Sequence, residues 1–399
     1  MNSTKPSTSA LQGIKVLDLT SIVFGPYASQ ILADYGAEVI KVESLMGDST
    51  RYTGPTLEEG LSAIFLGVNR NKQSIALNLK QEQARDVLLE LVDQADVFMH
   101  SMRPQKMKKL GLDPQTLCQR NPKLVYAGLY GFGHAGRYAG MPAYDDIIQG
   151  LSGIPDVVQK QSGTPRYLPI IAADKTCGLV AAHAILAALF QRERDGRGQQ
   201  VEVPMFETMS SYMLVEHYYG RHLADQNQHA GYDRVLSEWR KPYKTLDGYL
   251  CMMPYTDLHW QNFFWHAGFA ELTADERFTN ISQRTKHINQ LYEITGQIVA
   301  EQTTAHWIGF CNQHEIPASR INAINELEQD PHLQDVGFFV ELEDTGGKYR
   351  FVRNPVSLEN STVPVKMPPR LGEHTTPIME NLGYTREEIQ QFYEQQLIK

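Results

Sequence analysis

One carboxylate, Asp174, stands ahead of a run of small and apolar residues, Cys177-Gly-Leu-Val-Ala-Ala-His-Ala-Ile-Leu-Ala-Ala-Leu189. Between Gly178 and Phe190 only His183 is ionisable, so the run predicts a buried helix. Asp174 would then sit at the amino-terminal, positive end of a helix dipole, which favours an anion by a few tenths to about 1 kcal/mol. A carboxylate that is ionised, positioned and partly shielded from water is suited to nucleophilic attack. Asp is also a favoured N-cap residue, so plain capping is the competing reading. Cys177, one turn later, is a rival nucleophile on paper, although a Cys inside a buried helix more often acts as a small hydrophobe.

Other residues carry charge or freedom of approach. Arg103-Pro-Gln-Lys106-Met-Lys108-Lys109-Leu-Gly111 is a basic island after a strand, in a chain of net charge −9. It reads either as a solvated helix face or as a clamp for a polyanionic ligand, with Arg70 and Lys80 as helpers. Tyr130-Gly131-Phe132-Gly133-His134 closes a strand, and its glycines let a ligand approach the backbone closely. His100, His134 and His183 lack metal-ligand spacing, so no metal site is expected. The first loop, Thr20-Ser-Ile-Val-Phe-Gly25-Pro26, with Glu43 beyond it, invites a dinucleotide reading. Only Gly25 of the three required glycines is present, which makes an NAD-dependent dehydrogenase a distant alternative.

These residues need a scaffold, and the chain supplies an alternating one. Ile14–Leu19 reads as a strand, Thr20–Pro26 as a loop, Tyr27–Tyr35 as a helix and Ala37–Val42 as a second strand. Val87, Leu88, Leu91 and Val92 recur at helical spacing within Gln81–Gln94. Strands follow at Asp96–His100, Lys123–Gly128 and Gln200–Val203, and a helix at Pro204–Tyr219. The alternation predicts an α/β fold with a largely parallel sheet. A polar stretch, His222–Tyr232, reads as a linker, and Asp247-Gly248 as the turn of a hairpin. The expected organisation is a large Rossmann-like domain over 1–224, a smaller α+β domain over 225–335, and a return to the large domain over 336–399. With 399 residues and 42% hydrophobic content, cores of this size are affordable. Net acidity argues against nucleic-acid binding. Met1–Ala10 lacks an apolar signal region, the apolar run is too short to span a bilayer, and four scattered cysteines form no framework. A soluble, cytoplasmic protein is the expectation.

Several segments occur in an order that resembles the family III coenzyme A transferases, the group of formyl-CoA and carnitine-CoA transferases, whose fold α-methylacyl-CoA racemases share. They include Leu11–Leu19, Gly25-Pro26, Leu32–Glu43, Asn71–Leu79, Gly131-Phe-Gly133, Pro142-Ala-Tyr-Asp145, Leu151-Ser-Gly153, Gly196-Arg-Gly-Gln199 and Leu371-Gly-Glu-His374. The resemblance implies an interlocked, ring-like homodimer, with a site between the large domain of one subunit and the small domain of the other. It implies that Asp174 is the nucleophile of acyl-CoA:carboxylate CoA transfer, through an aspartyl mixed anhydride and an aspartyl-CoA thioester. CoA is then a substrate, and no tightly bound cofactor is expected. Backbone groups near Gly131 and Gly133 would meet the oxyanion. Val23, Phe24, Leu77, Lys80, Arg103, Lys106, Lys108, Lys109, Tyr130, Phe132 and Tyr144 would line the CoA site. Racemases carry a catalytic His where this chain has Tyr144, which leaves the acid–base pair for proton exchange incomplete and makes an acyl-CoA racemase the runner-up. Formyl-CoA transferases carry a Gln where this chain has Val23, and a glycine-rich loop with no counterpart between Leu246 and Phe264; oxalate and formate are therefore not the expected acids. Arg51 and Arg240 are available cations for a small dicarboxylate.

Overall fold

The computed structural model describes residues 9–224 and 228–399. Residues 1–8, most of the Met1–Ala10 stretch, and 225–227, within the expected linker, lie outside the described residues. Two compact units emerge. The first takes in the chain up to Leu151, Ile170–Ser210 and Pro331–Lys399; the second takes in Ser152–Pro169 and Ser211–Asp330. The second unit thus starts earlier than residue 225 and recruits a helix from the middle of the chain. Gln161 explains that recruitment, because its side-chain amide donates to the carbonyls of Val235 and Arg240 at 3.3 and 3.2 Å.

In chain order the elements begin β1 (Lys15–Leu19), α1 (Phe24–Asp34), β2 (Glu38–Glu43), α2 (Ala63–Val68) and β3 (Gln73–Ala76). There follow α3 (Glu82–Gln94), β4 (Val97–His100), α4 (Pro104–Leu110), α5 (Pro114–Arg120) and β5 (Val125–Tyr130). Then come α6 (Asp145–Leu151), α7 (Ile154–Ser162), α8 (Ala172–Asp195), β6 (Gln200–Pro204) and α9 (Met205–His217). The six strands form one parallel sheet in the order β3-β2-β1-β4-β5-β6. The winding reverses between β1 and β4, and open α/β sheets bind ligands beyond the carboxyl ends of strands at such a point. Strands covered on both faces read as continuous apolar runs, and Val97–His100 is buried throughout. The spacing expected in α3 is realised, with Val87, Leu88, Leu91 and Val92 all in the core.

Two local expectations change, and one strand goes unanticipated. Helix α1 starts at Phe24, not Tyr27, because Pro26 falls in the first turn, where a missing N–H costs nothing. Helix α8 starts at Ala172 and buries only one side: Ala181, Ala182 and Ile185 are in the core, whereas Leu179, His183 and Phe190 are exposed. Gly178 sets its approach to α1, since a Cβ there would come within 3.0 Å of the Phe24 carbonyl oxygen. At 24 residues, α8 is the one helix among the described residues long and apolar enough to cross a membrane. Finally, β3 pairs with β2 although its four residues carry too little pattern to be read as a strand.

The second unit holds a three-stranded antiparallel sheet, β7 (Tyr243–Lys244), β8 (Tyr249–Met252) and β9 (Ala318–Arg320). The hairpin at Asp247-Gly248 is as expected. Trp260, Phe263, Phe264, Trp307 and Phe310 dominate its core. In the first unit, Phe339–Asp344 and Gly347–Val352 form a hairpin. The carboxyl terminus then returns to β3, where the His374 N–H donates to the Ser74 carbonyl and Leu77 bridges Ile398.

Candidate active site

A cavity of about 320 Å³ opens in the first unit, walled by residues that follow β1, β4 and β5. Seven expected residues share its walls: Phe24, Arg103, Tyr130, Gly131, Phe132, Tyr144 and Asp174. Ser21, Ile22, Ser101, His134 and Met205 join them without having been singled out as ligand contacts.

The floor of the first loop is a buried ion network. Lys41 Nζ donates to the Thr20 carbonyl and to Asp48, each at 3.0 Å, while Lys72 Nζ lies 3.2 Å from Asp18. Burial pulls Lys72 down to about 8 despite the Asp18 charge. Above this floor Ile22 holds a φ of 71°, a left-handed conformation costly for a β-branched residue. Its N–H lies 3.4 Å from Asp48 Oδ1.

Asp174 occupies the first turn of α8, while the N-cap itself is Ile171. The Asp174 N–H donates to Asp145 Oδ1 at 3.0 Å, so Asp145, from α6, does the capping. Asp145 Oδ2 accepts from Gln149 at 2.6 Å. Asp174 is 9% exposed, and no residue among those described donates to its carboxylate. Burial, reinforced by the Asp145 charge, pushes it up to about 6. The helix dipole therefore does not dominate. Even so, a carboxylate of this pKa is largely ionised at neutral pH and more nucleophilic than an ordinary one. Burial and the two carboxylates push the Cys177 thiol up to about 12, and its Sγ points at the Met205 carbonyl, 3.8 Å away. Cys177 is a packed thiol.

His100 is fully buried, accepts the Met102 N–H at 3.2 Å, and is pushed down to about 3 by burial, so it stays neutral. Its Nε2 lies 3.3 Å from the Tyr130 hydroxyl, which burial raises to about 12. The Gly131–His134 turn is tightly built: a Cβ on Gly131 would lie 2.4 Å from that of Ala143.

Several expected contacts fall elsewhere. The Gly133 N–H donates to Glu207 at 3.0 Å, so it is not open to an oxyanion. Val23, the N-cap residue of α1, is buried at 4% exposure and Leu77 at 1%; neither lines the cavity. Lys80 and the island residues Lys106, Lys108 and Lys109 are exposed and off its walls. Lys108 and Lys109 lie in the last turn of α4, where cations suit the negative end of the dipole. Arg70 forms a two-pronged pair with Asp34. Arg51 is consumed by Glu43 at 2.8 and 2.6 Å, which removes it as a ligand for a substrate carboxylate. Glu43 also accepts from Ser74 at 2.7 Å, leaving no ribose role. Arg240 is exposed on the second unit. Asp145, Glu202 and Glu207 escaped singling out, because nothing in the local sequence shows that an acid reaches a backbone N–H dozens of residues away.

Fold and site together define an α/β protein with a cleft at the switch point and a buried carboxylate of raised pKa in its wall. The chain belongs to CoA-transferase family III, whose profile matches residues 11–375. It is a CoA-transferase, and members of this family use CoA thioesters as substrates. It is 33% identical to an acyl-CoA transferase of Fusarium pseudograminearum, over 100% of this chain and 90% of that protein. It is 31% identical to the succinate–glutarate CoA-transferase of Agrobacterium fabrum, over 93% and 95% respectively. A crystal structure of Rv3272 from Mycobacterium tuberculosis superposes with a TM-score of 0.81 at 30% identity, covering 93% of this chain and 99% of the other.

Proposed function

We propose that this enzyme moves CoA between carboxylic acids by covalent catalysis at Asp174. The carrying observation is that carboxylate: buried, raised to about 6, without a donor, and set in the wall of the switch-point cavity. Asp174 attacks the thioester carbonyl, the C–S bond breaks, and CoA leaves as thiolate from an aspartyl mixed anhydride. The thiolate re-attacks the Asp174 carbonyl, releasing the donor acid and leaving an aspartyl-CoA thioester. The acceptor carboxylate then runs these steps in reverse and departs as its CoA ester. Each exchange conserves a high-energy acyl bond, so positioning and charge stabilisation supply the rate.

The working form is a homodimer. Supporting this, α8 leaves Leu179 and Phe190 uncovered at 53% and 62%, and α9 leaves Tyr212 and Val215 at 59% and 76%. Each helix thus carries large apolar side chains that a second copy of the chain would cover.

Small dicarboxylates are the first acids to test, given the succinate and glutarate of the Agrobacterium relative. Succinyl-CoA or acetyl-CoA, incubated with a panel of carboxylic acids, should yield new CoA esters by mass spectrometry. Free CoA alone, without any new ester, overturns the proposal.

A further inference from the structure

We propose that Glu207 and Glu202 are positioning residues that hold the turn after β5 so that Gly131 and Phe132 offer their N–H groups as the oxyanion site. The inference rests on Asp174 being the nucleophile. It begins from the fate of four consecutive N–H groups. Those of Gly133 and His134 are taken, by Glu207 Oε1 at 3.0 Å and Glu202 Oε1 at 2.7 Å. Those of Gly131 and Phe132 find no acceptor among the described residues. Phe132 is only 4% exposed, and a backbone N–H left without a protein acceptor in such a place is rare unless water or a ligand completes it.

The direction of one of these groups follows from the peptide plane. The Phe206 N–H donates to the Gly131 carbonyl at 3.0 Å, drawing that oxygen toward the start of α9. In a trans peptide the Phe132 N–H points the opposite way. Gly131, Phe132 and Asp174 all line the same cavity.

The two acids fix the rest of the turn. Glu202 lies on β6 and grips His134 twice, by its backbone N–H and by its ring, with Nδ1 3.2 Å from Oε2. Glu207 lies in the first turn of α9, and a Cβ on residue 133 would come within 2.7 Å of its Oε1. Gly133 is therefore a requirement of the clamp itself. When Asp174 attacks, the carbonyl π pair moves onto the thioester oxygen, which the Gly131 and Phe132 N–H groups then stabilise. Collapse restores the carbonyl and expels the thiolate. A negative charge near a forming oxyanion opposes it, so both acids act by accepting hydrogen bonds at the right reach.

That reasoning sets the order of two variants. Glu207→Gln keeps an acceptor at the same reach and should hold kcat within about fivefold of wild type, whereas Glu207→Asp keeps the charge but retracts it by one methylene. The Asp variant should lose roughly 10- to 100-fold in kcat, the scale of a small misplacement at a reacting centre, with KM for acyl-CoA nearly unchanged. Glu202→Gln and Glu202→Asp should show the same order and answer the question if Glu207→Asp does not fold. Wild-type kcat in the Asp variants, a weaker Gln variant, or a change confined to KM overturns the inference. Asp174→Asn is assayed alongside. If it still transfers CoA, the nucleophile assignment has failed; if it is inactive while the Glu variants show no order, only the clamp has failed.

Discussion

The backbone N–H of Asp174 donates to the carboxylate of Asp145 across 3.0 Å, so one acid caps the helix on which the other stands. The same contact brings a negative charge close enough to help lift Asp174 to about 6. Replacing Asp145 with Asn keeps an acceptor for the helix and removes the charge. The acidic limb of the pH profile of kcat/KM should then move to lower pH, by less than the full displacement because burial is the larger cause. An unmoved limb would mean that the group titrating in catalysis is not Asp174.

Ionising Asp174 costs stability. A carboxyl whose folded-state pKa of about 6 exceeds its ordinary 3.8 favours folding most when protonated, and that advantage disappears as pH rises through 6. Asp174→Asn should therefore unfold at a higher temperature than wild type at pH 8, by up to about 3 kcal/mol of stability at 1.36 kcal/mol per pKa unit. The two proteins should converge near pH 4. Equal melting temperatures at pH 8 would contradict the burial-driven shift.

On the proposed mechanism, the same substitution should lower transfer by at least about 10³-fold while acyl-CoA binding survives. Hydroxylamine added during turnover should modify Asp174 alone. Label on Cys177, whose thiol stands near 12, would reverse the assignment.

A chiral 2-methylacyl-CoA incubated in deuterated water without an acceptor acid should keep its α-proton. Tyr144, 69% exposed at the cavity wall, offers a phenol where racemases carry imidazole, and a phenol is a poor base near neutrality. Rapid exchange at Cα by mass spectrometry would favour racemisation.

Lys106 and Lys109 lie off the cavity walls on the exposed face of α4, so replacing both with Gln tests whether the CoA phosphates extend beyond the cavity: KM for acyl-CoA should rise at low ionic strength and kcat stay unchanged. The effect should fade at high salt, as expected for exposed charges that meet phosphates. Unaltered KM at low salt would reduce the island to a solvated helix face, with Lys80 the next candidate because Arg70 is already paired to Asp34.

Sequence alone disclosed whatever depends on short-range period and residue type. The βαβ opening, the apolar face of α3 and the long helix after Asp174 were all legible, since alternation and 3.6-residue spacing are local properties. Helix starts were less so: Pro26 looks like a breaker until it is seen in a first turn.

Asp174 could be singled out from its neighbours, and so could the glycines after β5, because their residue types restrict what they can do. What those residues face was decided by the tertiary structure. Only the reversal between β1 and β4 gathers the ends of β1, β4 and β5 around one cavity. Only three-dimensional proximity spends Arg51 on Glu43 and Arg70 on Asp34, gives Gly133 to Glu207, and sets Asp145 beneath Asp174. Partners such as Asp145 and Asp174, 29 residues apart, or Gly133 and Glu207, 74 apart, leave no periodic trace in the chain. Charge and hydrogen bonding act over a few ångströms of space, and the fold alone determines which residues come within that range.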